Sequence, residues 1–329
     1  MHSSMLPQHL GSCGFSQRSA TISTGTIPVP IANSRPLNSK NALLRNTPVR
    51  QRLQVSAVTM AQTVSISEHM RKLKQQHRIA FIPFLMSGDP NLATTSKAIQ
   101  ILDQLGADVI ELGVPYSDPL ADGPTIHAAA TRALLEQHVT LDQVLSMVKD
   151  VTPLISAPII LFIYYNPITA RGPEKLCQQA KAAGISGILV PDIPLEETGQ
   201  IREAASSAGL ELVLLTTPTT PKERMQAIAK ASQGFVYLVS VTGVTGSRVS
   251  MESRVEGLIS MLHEVTDKSV AVGFGISAPD AAQQVVSWGA EGVIVGSALV
   301  KALGEAPTPE AGLQAMQTLA QQLRDATNN

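Results

Sequence analysis

The sequence predicts a single α/β catalytic domain, a closed (β/α)8 barrel of the TIM type over residues 61–329, preceded by a disordered leader at residues 1–60. Short β-branched runs alternate with amphipathic stretches from about residue 68 onward. Nearly all of these runs are continuously apolar, as expected for parallel strands that helices cover on both faces. A glycine also marks three passages from helix to strand, at Gly106, Gly184 and Gly289, where positive φ is tolerated.

The apolar runs, in chain order, predict strands at residues 79–86, 108–112, 158–165, 187–190, 210–216, 234–240, 269–274 and 292–295. The amphipathic stretches predict helices at residues 92–105, 125–136 with 141–151, 168–183, 195–208, 221–230, 251–263, 279–288 and 298–303. A last helix at 309–323 would cover an end or side of the structure. This repeated strand–helix unit favours a closed parallel barrel. The alternative is an open doubly wound sheet, but its Gly-x-Gly-x-x-Gly turn is missing after the first strand.

Composition excludes several classes of protein. The 329 residues are 44% hydrophobic, 16% charged and 3% aromatic, a balance typical of a globular enzyme. The length permits two domains, although an α/β barrel often fills about 250 residues with one. Two cysteines, Cys13 and Cys177, exclude a disulfide framework and a Cys-rich metal site. No uninterrupted apolar run is long enough to predict a membrane span.

The beginning of the chain differs in charge from the rest. Before Glu68 there is no acidic residue, whereas six basic residues occur: Arg18, Arg35, Lys40, Arg45, Arg50 and Arg52. Such a Ser/Thr-rich, acid-free segment without a continuous apolar core predicts an organellar transit peptide, and its composition favours a plastid, with cleavage near residues 55–60. A disordered tail or a nucleic-acid-binding arm is the alternative, but no basic run of five occurs.

Glycine-rich turns follow three successive strands. Strand seven ends in the segment 273–277, Gly-Phe-Gly-Ile-Ser, and strand eight in Gly296-Ser297, each followed by a helix. Glycine lets the backbone approach a ligand, and free N–H groups at a helix start attract anions, so these turns predict a phosphate site. The turn 242–247 could add a donor and act as a lid. Ser277 with Asp280 is also an ordinary capping arrangement, and Lys301 is either a charge partner or a solvated lysine.

Carboxylates follow strand two. Glu111 lies between apolar residues, where burial should raise its pKa and suit it to exchange a proton near neutral pH. Alternatively it forms an ion pair inside the barrel. Either Asp118 or Asp122, in the polar loop that follows, could fold back beside Glu111, unless both are simply turn residues.

Absences narrow the chemistry further. Strand six has no lysine in it or just after it, which disfavours a Schiff-base aldolase. The seven histidines lack the spacing of metal ligands, which disfavours a metal-dependent aldolase. The expectation is therefore cofactor-free proton transfer by carboxylates on a phosphorylated small molecule. The acidic remainder of the chain gives no electrostatic case for nucleic-acid binding.

The run from Glu111 to Ile126, ELGVPYSDPLADGPTI, resembles the signature of the tryptophan synthase α subunit family. The similarity continues in the same order through the segments 81–84, 243–246, 273–277 and 296–297, and covers roughly residues 64–303. With a plastid-like leader, a plant or algal form is the nearest match. The resemblance implies retro-aldol cleavage of indole-3-glycerol phosphate to indole and glyceraldehyde 3-phosphate.

The same resemblance implies roles for individual residues. Glu111 matches the catalytic glutamate that protonates the indole ring carbon, and Asp122 matches the aspartate that holds the indole N–H. Matches to substrate-binding positions are Phe84, Ile126, Leu189, Tyr237, Thr245 and Phe274, where the apolar ones would otherwise be barrel core. Matches to phosphate-binding positions are Gly246, Gly275, Gly296 and Ser297.

The resemblance also implies a partner, a β subunit that carries pyridoxal phosphate and receives the indole. The two subunits form an α2β2 heterotetramer. Matches to the contact surface are Pro115, Asp118, Asn166, Asp192 and Pro194. The chain departs from bacterial members at Val241, where they usually have Arg, and at Pro191, where a small residue is common. Two other hypotheses remain: a stand-alone lyase that releases free indole, and a non-catalytic barrel that regulates a β partner.

Overall fold

The computed structural model describes residues 64–240, 248–273 and 275–327, except the side chains of 248–253. Over this part of the chain, eight parallel strands form one closed barrel in sequence order. Closure is made by β8 pairing with β1, with Ala80 opposite Gly292. The predicted barrel is therefore confirmed, and the open sheet is excluded. The predicted leader lies outside the described residues.

The strands are short and almost wholly buried. They are β1 Ala80–Met86, β2 Ile110–Gly113, β3 Ile159–Phe162, β4 Gly187–Leu189, β5 Glu211–Thr216, β6 Val236–Val239, β7 Val270–Gly273 and β8 Gly292–Val295.

The α-helices of the described residues surround this barrel. They are α1 Ile66–Gln75, α2 Leu92–Gln104, α3 Pro124–Leu135, α4 Leu141–Val151, α5 Tyr165–Arg171, α6 Pro173–Ala182, α7 Gly199–Ala208, α8 Lys222–Ala231, α9 Arg248–Val265, α10 Pro279–Ser287, α11 Ser297–Gly304 and α12 Pro309–Thr327. The three glycines predicted after helix ends have φ between +81° and +97°, which confirms their capping role.

The structure differs from the predicted elements at several places. Helix α1 was not predicted, although Ser65 caps its start and Ile66, Met70 and Leu73 form one buried face. The predicted helix 168–183 is two helices, because Gly172 interrupts it with φ +91°. Strand β3 ends at Phe162, three residues before the predicted end, because α5 begins at Tyr165 with Tyr164 as its N-cap.

Alternation along each strand divides the apolar side chains into two layers. In β2 and its flank, Ile110 and Leu112 pack in the cluster beneath the helices, whereas Val109 belongs to the cluster inside the barrel. In β3 the inward side chains are Ile160 and Phe162. Because successive strand residues point to opposite faces, Glu111 must share the inward face with Val109.

The end of the barrel opposite the carboxyl ends of the strands is closed by polar ties. The Glu211 carboxylate accepts hydrogen bonds from the Ser65 hydroxyl (2.8 Å) and the Ser67 backbone N–H (2.9 Å). Asp108, 5% exposed, accepts from the Phe81 backbone N–H (3.0 Å) and pairs with the buried Arg324 guanidinium of α12 (3.2 Å). These ties fasten α1 and α12 to the barrel.

The length and hydropathy of the helices were compared with what a membrane span requires. Within the described ranges, none combines the length and the apolar character that crossing a bilayer requires.

Candidate active site

Glu111 lies inside the mouth of the barrel. Its side chain is on β2, opposite Phe84 of β1 and Ile160 of β3 in the sheet register. The residue is 1% exposed, and its Oε1 atom is buried with no hydrogen-bond partner. Desolvation by burial raises the pKa of this carboxyl from its usual 4.5 to about 8. Glu111 thus keeps its proton at neutral pH, and no cation of the described ranges forms an ion pair with it, which argues against the alternative of an interior ion pair.

A cavity of about 230 Å³ opens over Glu111 at the carboxyl ends of the strands. It brings together eight of the residues that the sequence singled out: Phe84, Glu111, Asp122, Ile126, Tyr237, Gly275, Gly296 and Ser297. The carboxyl ends of the strands are where barrels of this type place their chemistry.

Asp122 is the second carboxylate in this cavity. It lies in the loop between β2 and α3 and is half-buried. Burial raises its pKa from 3.8 to about 6, while a hydrogen bond from Tyr164 and the charge of His127 act in the opposite direction. Asp118, in the same loop, is exposed and does not line the cavity. The choice that the residues alone left open therefore falls on Asp122.

Tyr237 of β6 lies beside the carboxylates. It is 3% exposed, and burial together with the charges of Glu111 and Asp122 holds its pKa well above its usual value. In the neighbouring strand β7, Tyr237 pairs with Ala271, and two residues further on is Gly273, where a Cβ atom would lie 2.2 Å from the Tyr237 hydroxyl oxygen. Only glycine leaves room for this tyrosine, since real carbon–oxygen contacts are never so short.

The opposite wall is made by the starts of two helices. Gly275 has φ +81° in the turn before α10, and Ser277 follows it in the lining. Gly296 and Ser297 join β8 directly to α11, whose first N–H groups have no carbonyl partner within the helix. These N–H groups and the helix dipole favour an anion. Ser277 does not cap α10, because Ala278 is its N-cap. Lys301 is exposed and pairs with Glu305.

Apolar side chains fill the space between the carboxylates and the helix starts. The rings of Phe84 and Phe162 meet edge to face, with centroids 5.4 Å apart. Gly113 makes room for Phe84, since a Cβ there would lie 2.6 Å from its ring. Phe162 and Ile294 line the cavity without having been predicted, whereas Leu189 is buried in the barrel interior and does not line it.

Other predicted residues lie away from this cavity. Asp118, Asn166, Asp192 and Pro194, which were predicted to contact a partner, are exposed near the barrel mouth, while Pro115 is buried. Pro191 borders a neighbouring cavity that also reaches Asp122. Thr245, Gly246 and Phe274, with Val241 and the predicted lid, lie outside the described residues.

Metal-ligating side chains do not cluster in the described ranges. No group of three or more His, Cys, Asp or Glu residues there could hold an ion.

The sequence was compared with those of known protein families. The sequence profile of the tryptophan synthase alpha chain matches residues 70–328. The chain belongs to the tryptophan synthase alpha chain family. The resemblance carried by residues 111–126 is thereby confirmed, and it extends beyond residue 303 through α12.

Individual members of the tryptophan synthase alpha chain family are similar over nearly their whole length. The chain is 54% identical to the alpha chain of Arabidopsis thaliana over 82% of its own residues and 97% of the relative. It is 59% identical to that of Synechocystis sp. over 77% and 96%. The crystal structure of the alpha subunit from Legionella pneumophila superposes with a TM-score of 0.73 at 34% identity, covering 80% of this chain and 98% of that one.

Proposed function

We propose that this protein cleaves indole-3-glycerol phosphate by a retro-aldol reaction into indole and glyceraldehyde 3-phosphate. Membership of the tryptophan synthase alpha chain family supports this lyase activity. The observation that carries the proposal is the buried carboxyl of Glu111 in the lining of the cavity, whose pKa of about 8 keeps it protonated at neutral pH and whose Oε1 atom has no hydrogen-bond partner. A protonated carboxyl with a pKa near neutral pH can act as a general acid toward a bound substrate.

Glu111 acts first as acid and then as base in this proposal. Its proton passes to the indole ring carbon that bears the glycerol chain, which turns the indole into a leaving group. The resulting Glu111 carboxylate takes the proton of the hydroxyl group on the adjacent chain carbon as the C–C bond breaks. Indole and the aldehyde leave, and Glu111 is protonated again.

Asp122 stabilises the charge that this protonation creates. Its pKa of about 6 leaves the carboxylate ionised at neutral pH. The ionised group accepts the indole N–H and offsets the positive charge on the protonated ring, an electrostatic effect that is strong in a half-buried site. Tyr237 supports the substrate beside Glu111.

The remaining walls fit the two ends of the substrate. Phe84, Ile126 and the unpredicted Phe162 offer apolar contact to the indole ring. Gly275, Gly296 and Ser297 offer backbone N–H groups to the phosphate. Thr245, Gly246 and Phe274 are proposed to complete the site, and Leu189 to support it from within the barrel.

We further propose that a tryptophan synthase beta subunit receives the indole, in an α2β2 heterotetramer. The exposed side chains of Asp118, Asn166 and Asp192 near the barrel mouth support a contact there. Leu120, 89% exposed in the same loop as Asp122, adds an apolar side chain to this surface.

Residues 1–60 are proposed to direct this catalytic domain, residues 61–329, to the plastid stroma. Support comes from the absence of acidic residues before Glu68 and from the family match, which begins at residue 70.

The deciding experiment measures indole formation from indole-3-glycerol phosphate, with and without a beta subunit, by the wild type and by Glu111→Gln. We expect the substitution to lower kcat by about 100-fold to 10,000-fold in both assays, the usual range for loss of general acid–base catalysis. Binding of glycerol 3-phosphate should persist, because glutamine keeps the size of the side chain. Glu203→Gln, an exposed change on α7, is the matched control.

Each other outcome discriminates among the hypotheses. No cleavage by the wild type in either assay would leave only the non-catalytic regulator, and unchanged cleavage by Glu111→Gln would assign the proton transfer to another residue. Loss of phosphate binding would assign Glu111 a structural role. High turnover without a beta subunit would favour the stand-alone lyase, while strong activation by that subunit supports the present proposal.

A further inference from the structure

The loop that carries Asp122 is tied to the next strand through a buried tyrosine. Tyr164 follows β3 at the start of α5 and is 2% exposed. The backbone N–H of Ala121, the residue before Asp122, donates a hydrogen bond to the Tyr164 hydroxyl oxygen at 3.1 Å. A hydroxyl that accepts from this N–H still has its own proton to donate.

The Asp122 carboxyl lies beside this hydroxyl and interacts with it. Burial and the neighbouring Asp122 carboxylate raise the pKa of Tyr164, so the phenol keeps its proton, and its hydrogen bond lowers the pKa of Asp122. A single hydroxyl group thus contacts the backbone at residue 121 and the side chain at residue 122. Both contacts fix the position of the carboxylate.

A second tyrosine holds the first in place. The ring of Tyr116, at the other end of the loop, stacks on Tyr164 with centroids 5.3 Å apart and an interplanar angle of 30°. The Asn166 side-chain amide donates to the Tyr116 hydroxyl at 2.8 Å. The Asp192 carboxylate accepts from the Tyr165 backbone N–H at 2.9 Å and fixes the start of α5. The network therefore runs from exposed Asn166 to Asp122.

Other charged and titratable groups also face Asp122 or Tyr164. His127 of α3 lowers the pKa of Asp122, Tyr237 of β6 interacts with both Asp122 and Glu111, and Asp192 acts on Tyr164. Of these groups, Tyr164 also accepts a hydrogen bond from the backbone N–H of Ala121, next to Asp122.

We propose that Tyr164 is a positioning residue that fixes the Asp122 carboxylate for the reaction, and that the Tyr116–Asn166 pair braces it. The inference rests on the proposed function, since it assigns Tyr164 a role through Asp122. It concerns a residue that sequence patterns did not single out.

The test compares Tyr164→Phe with Tyr165→Phe, which removes the hydroxyl of the neighbouring residue and keeps its backbone N–H bond to Asp192. We expect Tyr164→Phe to lower kcat by about 10-fold to 100-fold, the range for losing a hydrogen bond to a charged group. KM should change little, because the phosphate and indole contacts remain. The acid limb of the pH–rate profile should move to higher pH, since the bond that lowers the pKa of Asp122 is gone. Tyr165→Phe should do neither.

Asn166→Ala tests the same network from its exposed end without touching a buried group. It should move the acid limb in the same direction by a smaller amount, in assays without a beta subunit. The proposal is overturned if the acid limb of Tyr164→Phe coincides with that of Tyr165→Phe, or if its loss lies wholly in KM. Should Tyr164→Phe not fold, an unchanged acid limb in Asn166→Ala overturns it. Failure of the proposed function is distinct, because the wild type would then form no indole.

Discussion

Two carboxyl groups of the site, Glu111 and Asp122, have different protonation states at neutral pH. Glu111 is fully buried and its Oε1 atom has no hydrogen-bond partner, so burial raises the pKa of its carboxyl to about 8 and it keeps its proton. Asp122 is less buried and is faced by Tyr164 and His127, so its pKa reaches only about 6. Such a division assigns one group as acid and the other as anion, which is how paired carboxylates commonly share proton-transfer chemistry.

The two pKa values predict a bell-shaped pH dependence of kcat/KM for indole formation. Below about pH 6 Asp122 gains a proton and loses the negative charge that stabilises the protonated ring. Above about pH 8 Glu111 loses the proton that it must donate. Initial rates at constant ionic strength from about pH 5 to about pH 9 measure both limbs.

The control for this profile is Asp150→Asn, an exposed change on α4 that should keep both limbs. Asp122→Asn should instead lose the acid limb together with most of its activity. A rate that still rises steadily through pH 9 would contradict the assignment of Glu111 as the acid.

At the scale of elements, the strands supply the site through the alternation of their side chains and through glycines that make room for neighbours. Gly273 of β7 admits Tyr237 of β6, and Gly113 of β2 admits Phe84 of β1. The helices contribute through their N-terminal N–H groups, which the short connection Gly296-Ser297 holds at the cavity. The site therefore depends on close approach between adjacent strands as much as on its polar residues.

Gly273→Ala tests this close approach. The added methyl group would lie 2.2 Å from the Tyr237 hydroxyl oxygen, so the ring must move and disturb the space beside Glu111. We expect kcat to fall by about 100-fold, as for other displacements near 1 Å, with a loss of stability of about 1–3 kcal/mol. Steady-state kinetics and urea unfolding measure the two effects.

Gly257→Ala is the matched control on α9. A Cβ at that exposed helical position meets nothing within 4 Å, so stability should rise by about 0.5–1 kcal/mol and activity should stay unchanged. Full activity in Gly273→Ala would show that the position of Tyr237 is unimportant.

The sequence predicted most strands and helices because short, continuously apolar runs differ from the longer stretches in which apolar residues recur with the period of a helix. It could not show which face of a strand points inward. In β3 both faces are apolar, with Ile159 and Leu161 toward the helices and Ile160 and Phe162 inside, so Phe162 was missed. Tyr164 was missed for a different reason, because its contacts join two separate loops. The buried face of α1 carried a helical signal that lay too close to the leader to stand out.

At the scale of the whole molecule, the two ends of the barrel have different tasks. The carboxyl ends of the strands hold the cavity, and the opposite end holds the polar ties of Glu211 and Asp108. The Asp108 carboxylate accepts a hydrogen bond from Phe81 of β1 and forms ion pairs with Arg324 of α12 and with Arg78, which follows α1. Substitutions at that end should therefore change stability without changing chemistry.

Asp108→Asn tests this division. It leaves the buried guanidinium of Arg324 without its carboxylate, which typically costs about 3 kcal/mol or more. We expect urea unfolding to show that loss, while kcat and KM of the folded protein stay within about two-fold, a difference under 1 kcal/mol. Asp142→Asn, which breaks an exposed pair with Arg171, should change neither quantity measurably. A large fall in kcat for folded Asp108→Asn would contradict the separation of the two ends.

The unpartnered Oε1 atom of Glu111 also bears on the source of one hydrogen atom in the indole product. Between turnovers its acidic hydrogen can exchange with water that enters the open cavity. The hydrogen newly attached to each indole molecule is therefore drawn from the solvent pool and not retained from the substrate's hydroxyl group. Each catalytic cycle closes without net uptake or release of acid, so the reaction leaves the pH of its surroundings unaltered.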